Sequence, residues 1–190
     1  YSSTWAIVNK EKKHGCCWHK IVPKIDGGEI FELAKFNINK NLTAYEVDLK
    51  GVFFGKSIFK KMLAKFSSKN LRGKKQNFNL RTYYGKKDFK KIPFNGFFNY
   101  KKSFQSNMRV FNSLNFSDKK VNNISKYKIL INSAPYLVSK IEIINYNLDK
   151  FKLGYCKVLN KNCVIIKCTN YCSKITLENY KNIKLKNGQQ

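Results

Sequence analysis

The stretch Tyr45-Glu46-Val47-Asp48-Leu49-Lys50, together with the run from Lys56 to Phe66 that follows it, sets the expected fold of this chain. Tyr45, Val47 and Leu49 alternate with Glu46, Asp48 and Lys50, which is the period of a half-buried strand. Val52 to Gly55 turn the chain. Ile58, Phe59, Met62, Leu63 and Phe66 then recur at helical spacing, with Lys60, Lys61 and Lys65 opposite, which predicts an amphipathic helix. Further out, Phe78 and Leu80 open a second strand, and Met108 and Val110 flank Arg109 in a third. Ser117-Asp118 reads as a helix start, because either side chain accepts from free first-turn amides; Val121, Ile124 and Lys128 follow. Val138, Ile141 and Ile143 make the last strand. The order strand, helix, strand, strand, helix, strand predicts an α+β core of ferredoxin-like split βαβ type (βαββαβ). A long basic hairpin spans Gly85 to Lys102. Residues 44–143 are expected to form the domain, with an N-terminal extension over 1–43 and a C-terminal one over 144–190. In the first extension Ser3 to Val8 suits a short strand and Glu29 to Phe36 one or two helical turns.

Charge points to the partner. Among 190 residues, 38 are Lys or Arg and 11 are Asp or Glu, a formal net charge of +27. Such an excess calls for a polyanion, and nucleic acid leads. The apolar fraction of 43% and aromatic fraction of 15% exclude a disordered basic tail. No apolar run approaches the roughly 20 residues of a membrane span. Arg72, Arg81 and Arg109 are the only arginines, and the bias to Lys, Asn, Ile, Phe and Tyr indicates an AT-rich coding genome. Tyr1 is not an initiator methionine, so a missing or processed start is expected.

Chemistry-bearing motifs are few. His14, Cys16, Cys17 and His19 are soft-metal ligand types, but adjacent cysteines point apart and suit zinc poorly. Cys156, Cys163, Cys168 and Cys172 are better spaced, yet Val164-Ile165-Ile166 reads as a strand that puts Cys163 and Cys168 on opposite faces. Buried thiols without metal are expected, and no cofactor. No phosphate-binding glycine loop occurs. Asp26, Glu29 and Glu32 form the one loose acidic group, which a metal-dependent nuclease would need. No catalytic constellation is evident, and a non-enzymatic protein is expected.

The middle resembles small-subunit ribosomal protein S-ten. The matching residues are Tyr45 to Lys50, the helix Lys56 to Phe66, Lys86-Lys87-Asp88-Phe89, Ile92 to Asn99, Lys101-Lys102-Ser103, Met108-Arg109-Val110, Ser117 to Val121, and Val138 to Ile143. The resemblance implies a structural constituent of a mitochondrial ribosome's small subunit, acting in translation. Its partners would be the small-subunit ribosomal RNA and head proteins of the S-three and S-fourteen types, with no membrane. The RNA-binding residues would be Lys56, Arg72, Lys74, Lys75, Arg81, Lys86, Lys87, Lys90, Lys91, Lys101, Lys102 and Arg109. Phe94, Phe97, Phe98 and Tyr100 would form a hairpin tip touching neighbouring proteins. The alternatives are another organellar ribosomal protein, a nucleic-acid-processing accessory factor, or a secreted cationic protein needing disulfides.

Overall fold

Thr43 and Glu46 show why the first expectation fails. In a computed structural model, describing residues 1–68, 72–117, 124–178 and 187–189, the Thr43 hydroxyl accepts from the Glu46 amide at 3.2 Å. The Glu46 carboxylate accepts from the Thr43 amide at 2.8 Å. This reciprocal capping box starts a helix at the place where alternation suggested a strand. Ala44 and Val47 are buried, three positions apart, as a helix face requires. Replacing Thr43 by Ala removes the side-chain acceptor and should cost about 1 kcal/mol, read from urea unfolding at pH 7.

The chain divides into two compact units, residues 1–85 and 86–190. The first holds helix α1 (Ser2–Val8), strands β1 (Lys13–His19) and β2 (Ile30–Asn37), and helix α2 (Ala44–Ser67). β1 and β2 pair antiparallel, Lys13 opposite Asn37 and Cys17 opposite Leu33. Gly15 makes this pairing close, since a Cβ there would sit 2.6 Å from the Ala34 carbonyl oxygen. α2 lies on the strands: Phe54 stacks on Phe36 with ring centroids 5.3 Å apart, and the Trp18 indole donates to the Gly55 carbonyl at 2.9 Å. Trp5 of α1 stacks on Tyr84 at 4.3 Å.

Local readings in this unit therefore change. Ser3 to Val8 is helical, with Ser3 to Ile7 all buried. Glu29 to Phe36 is mainly strand, because pairing with β1 satisfies its backbone and overrides weak propensity. The expected helix over Lys56 to Phe66 is present as the second half of α2. Phe78 to Leu80 is a single 3₁₀ turn, the Asn79 amide donating to the Asn77 side chain at 3.1 Å.

The second unit begins with 3₁₀ turns at Lys86–Lys91 and Pro93–Gly96, then helix α3 (Phe104–Leu114). Six strands follow: β3 (Lys128–Ile131), β4 (Ala134–Ile144), β5 (Tyr155–Asn160), β6 (Cys163–Lys167), β7 (Cys172–Leu177) and β8 (Gly188–Gln189). They form one sheet in the order β3-β4-β7-β6-β5-β8, every pairing antiparallel, curled into a half-barrel. β3 and β4 join through Asn132 and Ser133, both at positive φ, as a two-residue hairpin turn requires. Cys163, Val164, Ile165 and Ile166 are all buried, so the apolar run of β6 faces protein on both sides.

This is not the ferredoxin-like split βαβ arrangement. The third expected strand, around Met108 to Val110, is the middle of α3. Its buried Asn107, Val110, Phe111 and Leu114 recur at three- and four-residue intervals, and Ser103 caps it. A two-residue alternation was too short to outweigh that longer period. The helix expected from Ser117-Asp118 falls mostly on residues 118–123, outside the described residues, and Lys128 opens β3 instead. The last expected strand, Val138 to Ile143, lies within β4. Strands β5 to β7 lie in the stretch read as an extension, where Cys156 to Leu177 supplies much of the core.

The six cysteines are free. Burial pushes the Cys156 thiol up to about 12 and Cys168 likewise to about 12, against an ordinary value of 9.0. Between those limits the unfolded chain releases protons that the folded chain keeps. Each thiol thus contributes stability that is whole below pH 9 and lost as pH rises toward 12. The loss should approach about 1.4 kcal/mol per pH unit per thiol, visible in urea midpoints across that range.

Candidate active site

The β1–β2 connection is an exposed loop held by backbone and side-chain hydrogen bonds. β1 ends at His19 with an irregularity in the pairing between Trp18 and His19. The chain then closes on itself: the Lys20 amide donates to the Glu29 carbonyl and the Gly27 amide to the Lys24 carbonyl, each at 2.9 Å. Gly28 is buried there, and any Cβ would overlap the Lys20 carbonyl oxygen. Asp26 takes φ 51, a left-handed conformation that Asp tolerates better than most residues. The carbonyls of Asp26 and Gly28 both accept from the Gln76 side-chain amide, at 2.8 and 2.6 Å. Ile30 and Lys74 exchange two backbone hydrogen bonds of 2.8 Å just behind.

This frame sets a histidine against a carboxylate. His19 Nε2 lies 3.8 Å from Asp26 Oδ1, with side-chain exposures of 29% and 73%. His19 Nδ1 lies 3.1 Å from the Lys20 carbonyl oxygen. A carbonyl only accepts, so Nδ1 is the donor there, and Nε2 is the ring nitrogen left facing the Asp26 side. Cys17, exposed and two residues before His19 in β1, lies near enough to Asp26 to feel its charge. Partial burial, then Cys16 and Asp26, push the Cys17 thiol up, which keeps it protonated and weakly nucleophilic. Ile21 and Ile25 stand 92% and 79% exposed on the loop. Together the loop offers an accessible proton acceptor, a second acceptor close by, and apolar surface for a ligand.

The other residues singled out from sequence lie elsewhere. His14 packs edge-on against Phe36; burial lowers its pKa, opposed by Asp48. Among the described residues no group of three or more His, Cys, Asp or Glu is arranged to hold a metal ion. Lys56 is on α2, Arg72, Lys74 and Lys75 flank the segment that carries Gln76, and Arg81 places its guanidinium 5.7 Å from the Tyr83 ring. Lys86, Lys87, Lys90 and Lys91 occupy one 3₁₀ turn, with Lys91 paired to Asp88 at 2.7 Å. Lys101 and Lys102 precede α3. All of these cations are exposed except Arg109, half-buried on α3. Of the aromatics given to a hairpin tip, Phe98 is buried and Phe94, Phe97 and Tyr100 half-buried. Phe98 donates its amide to Lys128 of β3 at 2.7 Å.

The fold is similar to that of solved enzymes. WlaRD, a sugar 3N-formyltransferase crystallised with dTDP and 5-N-formyl-THF, is similar at a TM-score of 0.61 and 22% identity, over 95% of this chain and 60% of its own. The N-formyltransferase of Helicobacter canadensis, in complex with folinic acid and dTDP-3-aminofucose, matches at 0.62 and 20%, over 93% and 60%. HypX of Aquifex aeolicus with tetrahydrofolic acid matches at 0.63 and 12%, over 91% and 28%. The fold is that of the formyltransferases. The chain spans about 60% of the length of the sugar formyltransferases that it matches. No family model matches it, and neither does any curated protein.

The formyltransferase fold overturns the S-ten resemblance and what it implied. The short motifs matched in order, but Tyr45–Lys50 and Met108–Val110 are helical, so the likeness had no common backbone behind it. A structural role in a ribosome's small subunit, the partners ribosomal RNA and head proteins, and a nucleic-acid accessory role lose their support with it. The expectation of a non-enzymatic protein falls too, since the chains sharing this fold are enzymes. Net charge +27 is a statement about attraction to anions, and it never specified a fold.

Proposed function

We propose that this chain serves N-formyl transfer, from an N-formyl-tetrahydrofolate to the amino group of a nucleotide-linked amino sugar. The observation that carries the reading is the His19–Asp26 pair, held on an exposed and backbone-constrained loop of a formyltransferase fold. In the reaction the acceptor nitrogen attacks the formyl carbon. Its new C–N bond forms as the bond from carbon to the folate nitrogen breaks. The attacking amine loses one proton and the departing folate nitrogen gains one, so no oxidant, reductant or water is consumed. Asp26 is placed to take the amine proton, and His19 Nε2 to share or return it. Both substrates are anions, the donor through its glutamate carboxylates and the acceptor through its pyrophosphate. An excess of 27 positive charges raises their local concentration near the protein.

The reading is tested by incubating the full chain with N-formyl-tetrahydrofolate and a dTDP-3-amino sugar while following donor consumption by absorbance. Consumption that requires both the chain and the amino sugar supports it. Consumption that proceeds equally without the amine, as hydrolysis, or no consumption at all, contradicts it.

A further inference from the structure

Gln76 reaches the loop from 48 residues further along the chain. Its single Nε2 donates to two carbonyls, that of Asp26 at 2.8 Å and that of Gly28 at 2.6 Å. These carbonyls bracket the turn where Asp26 takes φ 51 and Gly28 approaches Lys20 too closely for any Cβ. Gln76 is itself half-buried, and its approach is fixed by the paired backbone bonds between Ile30 and Lys74. A side-chain amide has two N–H donors on one nitrogen, so it satisfies both carbonyls at once. An Asp side chain on an otherwise exposed turn has no packing to hold its direction. Here that direction is set by the backbone, and the backbone is held by Gln76.

We infer that Gln76 is a positioning residue, clamping the 26–28 turn so that the Asp26 carboxylate stays aligned with His19 for proton transfer. The inference rests on the formyl-transfer reading of the His19–Asp26 loop. It predicts an effect on turnover out of proportion to the modest stability carried by two solvent-edge hydrogen bonds, because a misplacement of about 1 Å can cost on the order of 100-fold in rate.

The test uses the full chain with Gln76→Ala, Gln76→Glu, Asp26→Asn and the double variant Gln76→Ala/Asp26→Asn. Gln76→Ala should lower kcat for formyl transfer about 10- to 100-fold with donor KM little changed. Gln76→Glu should be worse than Gln76→Ala, since a carboxylate of the same size turns acceptors toward two acceptors. A side chain that merely filled space would give the opposite order. The double variant should be no slower than Asp26→Asn alone, because both act on one group. Hydrogen exchange reads the clamp without turnover: amides of residues 24–29 should exchange at least about tenfold faster in Gln76→Ala, with α2 unchanged. Full activity in Gln76→Ala beside a dead Asp26→Asn overturns the inference and leaves the reading of the site intact. An active Asp26→Asn overturns the reading itself. Unchanged exchange in the loop overturns the clamp whatever the turnover shows.

Discussion

Asp26→Asn is expected to lower formyl transfer by roughly 10²- to 10⁴-fold, the usual worth of a positioned general base. The substitution is a fair probe because it changes little else. Asn tolerates the left-handed φ of 51 that Asp26 takes, and the carbonyl that accepts from Gln76 is backbone. The side chain is 73% exposed, so its pairing with His19 adds little to folding. The thermal midpoint should therefore stay close to that of the parent while kcat falls. His19→Gln should give a smaller loss, since Asp26 still takes the amine proton. Steady-state rates on matched, folded samples check both. A variant within about threefold of the parent would remove Asp26 from the chemistry.

The largest loss of stability is expected from Asn107→Leu. Asn107 is fully buried on α3 and uses its whole amide. Its oxygen accepts from the Asn99 amide at 2.8 Å and from the Tyr127 hydroxyl at 2.9 Å. Its nitrogen donates to the Asn99 carbonyl at 2.9 Å and to the Tyr171 hydroxyl at 3.2 Å. One side chain thus ties the 99–103 turn and α3 to Tyr127, just ahead of β3, and to Tyr171, just ahead of β7. Leucine matches the volume and makes none of these bonds. Tyr171 keeps its bond to the Lys102 carbonyl at 3.0 Å and the Asn99 carbonyl keeps the Lys102 amide at 3.1 Å, but the Tyr127 hydroxyl and the Asn99 amide lose the Asn107 oxygen. Each orphaned donor costs about 1–3 kcal/mol, so about 2–6 kcal/mol is expected overall. That is a large share of a typical domain's 5–15 kcal/mol. Urea unfolding at pH 7 should show the midpoint fall with the slope retained. A loss below about 1 kcal/mol would mean that the network is not cooperative.

The parts of this fold that were legible in the sequence are those with a long, unambiguous period. Ile58, Phe59, Met62, Leu63 and Phe66 show the second half of α2, and Val164-Ile165-Ile166 shows β6. The failures came where two periods coexist over few residues. Tyr45, Val47 and Leu49 alternate, yet Ala44 and Val47 are the pair that is buried, and Thr43-x-x-Glu46 was the stronger signal. Met108 and Val110 alternate inside the helical set Asn107, Val110, Phe111 and Leu114. The site was harder still. His19 was noticed as a metal-ligand type and Asp26 as a loose acid, because each is visible by itself. Their approach depends on a turn with a left-handed Asp26 and a crowded Gly28, held by Gln76 from a distant segment. Gly27-Gly28 is a local turn signal in the sequence, but nothing local announces a clamp 48 residues away. The lysine excess misled most, since charge identifies an anionic ligand and says nothing of its size.

Mass analysis of the acceptor after reaction tests the central claim most directly. The full chain is mixed with N-formyl-tetrahydrofolate and a dTDP-3-amino sugar, and the sugar nucleotide is then weighed by mass spectrometry. The account predicts that the amino sugar gains the mass of one formyl group in a time- and enzyme-dependent way, and that Asp26→Asn slows this gain at least about 100-fold. An acceptor left unmodified by the folded parent chain, or formylated equally fast by Asp26→Asn, would contradict it.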